Sequence, residues 1–65
     1  MMFQTGDLVR IQEGFADPEG NEFDWIGLIL SYRGECGLGG EPEYVVQWAH
    51  QPHEAHEYGY YLEAI

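Results

Sequence analysis

Three histidines recur at every third position between residues 50 and 56. Imidazole is a good ligand for zinc, nickel or copper, and three imidazoles close together could share one ion. A single helical turn, which Pro52 tolerates at its start, would place the three rings on one side. The spacing makes His50, His53 and His56 the candidate ligands of a metal-responsive site. The alternative is a solvated loop whose histidines only respond to pH.

Two further segments contain residue types that can bind ions or phosphate. Asp17, Glu19 and Asn21 alternate as in a calcium loop, but Leu28 stands where such a loop needs a bidentate glutamate. We therefore interpret this segment as an acidic turn. The glycine-rich segment 34–41 lacks the lysine of a phosphate cradle, and nothing in the sequence activates its cysteine. We expect no catalysis and no cofactor.

Charge is the strongest feature of the composition. The 65 residues include 2 basic and 12 acidic side chains, for a formal net charge of -10. This balance repels phosphate backbones and anionic membranes, so direct binding to nucleic acid or to a membrane is not expected. It also exceeds the magnitude of about 2–8 that keeps a small domain in solution.

Two explanations for this charge remain open. One is a generic acidic surface, as in proteins from saline settings. The other is electrostatic imitation of nucleic acid, in which carboxylates replace phosphates and dock on a basic groove of another protein. The candidate carboxylates gather in predicted loops: Asp17, Glu19, Glu22, Asp24, Glu41, Glu43, Glu54 and Glu57.

The aromatic side chains are too numerous for one small core. There are two tryptophans, five tyrosines and three phenylalanines, and a chain this short buries only about 60 % of its unfolded surface. Exposed Trp and Tyr typically anchor binding surfaces. Trp25, Tyr58 and Tyr60, near predicted loop ends, are candidates for packing at the ends of the fold, for a protein-contact patch, or for a cage around a methylated cation.

Short apolar segments separated by turn-forming loops must position these residues. Alternation and β-branched content predict strands over 7–12, 25–32 and 43–48, with loops over 13–24, 33–42 and 49–57. Segment 58–65 is predicted to begin as a strand and to end in a 3-10 turn and a closing strand. Glycine within the second strand suggests a bulge, a bend or a close backbone crossing.

These elements predict one all-β domain over residues 1–65, a small barrel of about five strands, since closure removes exposed strand edges. Its predicted core is Val9, Ile11, Ile29, Val46, Leu62 and Ile65, with Tyr44 and Leu30 beside it. A single cysteine forms no internal disulfide, which is typical of a reducing compartment such as the cytoplasm.

The chain resembles the SH3-like small barrels, most closely their KOW, Tudor and chromo-type branches. The resemblance rests on Gly6-Asp7-Leu8-Val9-Arg10-Ile11, Gly27-Leu28-Ile29-Leu30, Tyr44-Val45-Val46-Gln47-Trp48 and Tyr61-Leu62-Glu63-Ala64-Ile65. It is also similar to short Gly-Asp-Leu-Val proteins encoded by tailed bacteriophages, including those of cyanobacteria. The resemblance implies an SH3-like barrel and, for a phage protein, action in the host cytoplasm.

Together these features predict a small acidic adaptor or inhibitor that binds a basic protein, with a polymerase or a nuclease as candidate partners. Loop carboxylates would steer the encounter and exposed aromatics would supply affinity. The alternatives are a metal-responsive module, a peptide-binding SH3-like module, and a subunit of a larger assembly that associates with itself.

Overall fold

A computed structural model describes residues 3–12, 25–36 and 39–65 of the chain. The acidic segment 13–24 lies outside this range. The described residues form five antiparallel strands and one short 3-10 turn: β1 Leu8–Ile11, β2 Gly27–Cys36, β3 Glu41–Trp48, β4 Ala55–Tyr58, the 3-10 turn Gly59–Tyr61, and β5 Leu62–Ala64. They include no helix long and apolar enough to cross a membrane.

The strands belong to one sheet in the order β4-β3-β2-β1-β5. If this sheet were flat, its edge strands would lie about 19 Å apart, at roughly 4.8 Å per strand. Buried side chains from β1, β2, β3 and β5 nevertheless form one cluster, so the sheet must curl around them. The all-β class, the five strands and the 3-10 turn before the closing strand are confirmed.

Irregularities in β2 let the sheet bend. The register of β2 against β3 shifts between Ile29 and Ser31, and again between Tyr32 and Gly34. Such bulges bend a strand and increase its twist. Gly34 has a φ of 100°, which other residues adopt rarely. The predicted loop over 33–42 is therefore shorter in the structure, because β2 continues through the second shift to residue 36.

The core combines predicted and unpredicted residues. Val9, Ile29, Tyr44, Val46 and Leu62 are buried as predicted, and Ile11 packs partly buried against them. The core also contains Phe3 and Trp48. The backbone N–H of Phe3 donates to the Tyr44 hydroxyl at 3.1 Å, which fixes the segment before β1 over the core.

One predicted core position, Ile65, is wrong. Ile65 is 63 % exposed, because the chain stays extended after Leu62 and the two-residue alternation turns its side chain outward. Its backbone N–H donates to the Leu8 carbonyl, which prolongs the ladder between β5 and β1. Leu30 is only half-buried, at the first register shift of β2, where alternation is interrupted.

Candidate functional site

The structure does not bring the three histidines together. Residues 49–54 form turns and bends and β4 begins at Ala55, so the helical turn predicted to align the rings is absent. His50 packs on Trp25 at a ring-centroid distance of 4.2 Å, whereas His56 contacts Arg33. Within the described ranges, no group of three His, Cys, Asp or Glu residues is placed to hold a metal ion.

Both basic side chains of the protein are held by internal partners. Arg10 Nε and Nη2 each lie 2.6 Å from Glu63 Oε2. Arg33 Nη1 lies 3.2 Å from Glu43 Oε1 and 2.6 Å from His56 Nδ1. A guanidinium only donates, so Nδ1 is the acceptor in the second contact. The two arginines of the sequence thus neutralise neighbouring carboxylates and offer little to a phosphate.

The candidate carboxylates fall into three groups. Asp17, Glu19, Glu22 and Asp24 lie outside the described residues. Glu43 and Glu57 have structural partners: Glu43 pairs with Arg33, and Glu57 Oε2 accepts a hydrogen bond from Trp48 Nε1 at 3.0 Å. Glu54 is exposed in the bend before β4, and Glu41 is half-buried at the start of β3.

The candidate aromatics separate into two clusters at opposite ends of β3. Trp25 packs on Trp48 with a ring-centroid distance of 5.7 Å. Tyr58 pairs with Glu43, five residues earlier on β3, which corresponds to about 16 Å along the strand. The structure therefore does not assemble Trp25, Tyr58 and Tyr60 into one cage.

The second cluster is a row of three tyrosines on the 3-10 turn and the strand before it. The rings of Tyr58 and Tyr60 stack with centroids 5.5 Å apart and an interplanar angle of 6°. Tyr60 and Tyr61 follow at 4.5 Å. Gly59 allows this turn to lie against the core, since a Cβ there would come within 3.1 Å of the Tyr44 ring. Tyr60 remains 42 % exposed.

An open groove of about 460 Å³ adjoins this row, within the size range of small ligand sites. Segments before β1, after β1, at the start of β3, in the 3-10 turn and in β5 form its walls. Its lining residues are Phe3, Gln12, Glu41, Pro42, Gly59, Tyr60, Leu62, Glu63 and Ala64. The groove thus combines apolar walls and a tyrosine with two carboxylates, and none of its lining side chains is cationic.

Several contacts raise the pKa of Tyr60 above its ordinary value of 10.0. The largest cause is a side-chain hydrogen bond with Tyr61. Partial burial and the negative charges that Tyr61, Glu41 and Tyr58 can carry act in the same direction. Folding therefore favours the neutral phenol. The stabilisation is complete below the unfolded pKa and is lost as pH rises through the higher folded pKa.

We therefore expect the free energy of unfolding to fall less between about pH 9 and about pH 11 in the Tyr60→Phe variant than in the unmodified protein. Phenylalanine has no hydroxyl to ionise, so its contribution does not change with pH. Urea midpoints measured at about pH 9 and about pH 11 would check this. Equal declines in both proteins would show that Tyr60 is not the responsible group.

Of the nine residues that line the groove, sequence reasoning predicts only Glu41 and Tyr60 as site residues and misses the other seven. Among these seven, Glu63 is predicted only as part of a closing strand, Pro42 as part of a loop and Phe3 in no element. These residues line the groove because the curled sheet brings β5 close to the start of β3. Such a long-range contact cannot be read from residue spacing along the chain. The alternation in β5, with Leu62 inward and Glu63 outward, was the one available signal for Glu63.

Comparisons of the chain with protein-family models, with curated proteins and with solved structures found no match.

Proposed function

We propose that this protein is a small acidic binding module that engages a basic, nucleic-acid-handling protein, such as a polymerase or a nuclease, through the groove beside Tyr60. In this proposal, carboxylates imitate phosphates to attract the partner, and the tyrosine row supplies contact area. A phage-encoded inhibitor or adaptor acting in host cytoplasm is the biological setting that the resemblance implies.

The observation that carries the proposal is the internal use of both arginines. Arg10 and Arg33 pair with Glu63 and Glu43, the sequence has no further Lys or Arg, and its other ten acidic side chains make up the net charge of -10. Such a surface repels nucleic acid and attracts a basic protein over distances set by the Debye length. Charge complementarity of this kind mainly accelerates association and sets specificity.

The groove supports contact with a cationic side chain. Tyr60 presents a half-exposed ring next to Glu41, whose charge acts on the Tyr60 hydroxyl. An arginine or lysine can stack its charged group on a tyrosine face while pairing with a carboxylate. Apolar surface from Phe3 and Leu62 completes the walls, which suits the alkyl stem of the same residue.

The test uses a short fluorescein-labelled peptide of alternating arginine and leucine, with fluorescence anisotropy as the readout. We expect Glu41→Gln and Tyr60→Ala each to weaken binding about tenfold, equivalent to about 1.4 kcal/mol. Glu54→Gln is the matched control, since it removes the same charge from an exposed bend outside the groove. It should change the Kd by no more than about twofold.

Equal losses for Glu41→Gln and Glu54→Gln would mean that the peptide senses only net charge, and the groove would be discarded as the contact site. No binding by the unmodified protein at low salt would contradict the proposal as a whole. Far-UV circular dichroism of each variant shows that the fold is retained.

A further inference from the structure

Four exposed aliphatic side chains lie on the face of the sheet opposite the core, and none of the four lines the groove. Leu8 of β1 is the register partner of Leu28 of β2. On the other side of Leu8, Ile65 extends the β5 ladder through its hydrogen bond to the Leu8 carbonyl. Ile26 precedes Leu28 by two residues and shares its side of the chain.

These residues form one patch, which we call the aliphatic face. Leu8 is 50 %, Ile26 49 %, Leu28 38 % and Ile65 63 % exposed. Directly opposed side chains in an antiparallel sheet lie about 4.5–5.5 Å apart, so Leu28, Leu8 and Ile65 form a continuous row. Single exposed apolar residues are ordinary, whereas a contiguous patch marks an interaction surface.

Among the described residues, the margin of the aliphatic face carries one cation and one anion. Arg10 follows Leu8 by two residues on β1, and Glu63 precedes Ile65 by two residues on β5. These two side chains pair at 2.6 Å. Counting only residues 3–12, 25–36 and 39–65, the aliphatic face and its margin are thus neutral in sum, on a protein of net charge -10. Glu63 also lines the groove, but the groove's other carboxylate, Glu41, lies at the start of β3, a strand that contributes none of the four aliphatic residues.

We propose that the aliphatic face is a two-fold interface with a second copy of this chain. A two-fold axis places each patch against itself, so a surface that bears a cation beside an anion is self-complementary. Arg10 of one copy can then face Glu63 of the other. Since like-charged copies repel, a neutral face is where they can approach most closely.

The dimer should be weak and should respond to salt in an unusual direction. The four side chains expose roughly as much surface as two complete aliphatic side chains, less than the interface of a standard stable complex. Salt screens the mutual repulsion of the two copies. Dimerisation should therefore strengthen as salt rises, whereas binding of a basic partner in the groove should weaken. The two proposals can fail separately.

Sedimentation equilibrium of the full chain up to about 1 mM tests the dimer in the range expected for a small interface. We expect a concentration-dependent dimer whose Kd falls severalfold between low and high salt. Leu8→Thr combined with Leu28→Thr should raise that Kd at least about tenfold, because each substitution acts twice across a two-fold axis. Threonine keeps the β propensity of both positions.

Gln51→Thr is the control, since it places the same residue on an exposed turn outside the aliphatic face. It should leave the Kd unchanged. If the double variant fails to fold, Ile65→Thr at the sheet margin replaces it, with the same expected direction. A strictly monomeric protein at every concentration and salt level, or a dimer unaffected by these substitutions, would overturn the proposal.

Discussion

The Trp48→Ala variant should lose about a third or more of the protein's free energy of unfolding. Trp48 is 1 % exposed and belongs to the set of largest fully buried side chains. Truncating a buried tryptophan typically costs about 3–5 kcal/mol. At roughly 0.05–0.15 kcal/mol per residue, the 65 residues have a total stability of only about 3–10 kcal/mol. Far-UV circular dichroism and urea unfolding would measure the loss directly.

A graded series separates the two contributions of Trp48. Trp48→Phe keeps an aromatic ring in the core but removes the indole N–H that donates to Glu57. We expect an intermediate loss, because an unmade hydrogen bond and a smaller ring cost less than a large cavity. A Trp48→Ala protein that retains its spectrum and its urea midpoint would contradict the position assigned to this side chain.

The Gly27→Ala variant should show the next largest loss. A Cβ at this position would lie 2.6 Å from Val46 Cγ1 and 2.8 Å from Trp48 Cε3. Both side chains are fully buried and cannot move aside without disturbing the core. Overpacking typically costs about 1–3 kcal/mol, which for a domain of this size lowers the Tm by roughly 4–8 °C per kcal/mol. Thermal unfolding followed by circular dichroism is the measurement.

Gly39→Ala provides the comparison. A Cβ there would approach Glu41 Oε1 at 2.9 Å, but a carboxylate at the end of a flexible side chain can rotate away. The Tm should therefore change little. If Gly27→Ala and Gly39→Ala behaved alike, close packing of β2 over Val46 and Trp48 would not be the reason for glycine at position 27.

The fold was largely predictable because alternation is strong in the central strands. Val9 and Ile11 in β1, and Tyr44, Val46 and Trp48 in β3, share faces as the spacing required. For Gly27 the sequence left open a bulge, a bend or a close backbone crossing, and the structure packs the side chains of Val46 and Trp48 against this position. By contrast, the sequence predicts residues 55–57 of β4 as part of a loop, because this edge strand has His56 and Glu57 among its four residues. Polar edge strands resemble loops in sequence.

The candidate site was predictable in composition but not in arrangement. Tyr58 and Tyr60 were singled out as exposed aromatics, and the structure places them side by side. Their separation from Trp25 depends on which end of β3 each one meets, and this is set by long-range strand pairing. The ion pair between Arg33 and Glu43 likewise joins neighbouring strands across a register shift, which spacing alone does not specify.

The salt dependence of peptide binding is the most direct test of the proposal that the acidic groove receives a basic partner. The labelled arginine–leucine peptide would be titrated with the unmodified protein between about 50 mM and about 500 mM NaCl, where the Debye length shrinks from roughly 14 Å to 4 Å. We predict a steep loss of affinity with rising salt, together with the selective effect of Glu41→Gln over Glu54→Gln at each concentration. Binding that is absent at low salt, or insensitive to salt and to Glu41, would contradict an acidic groove that receives a basic partner.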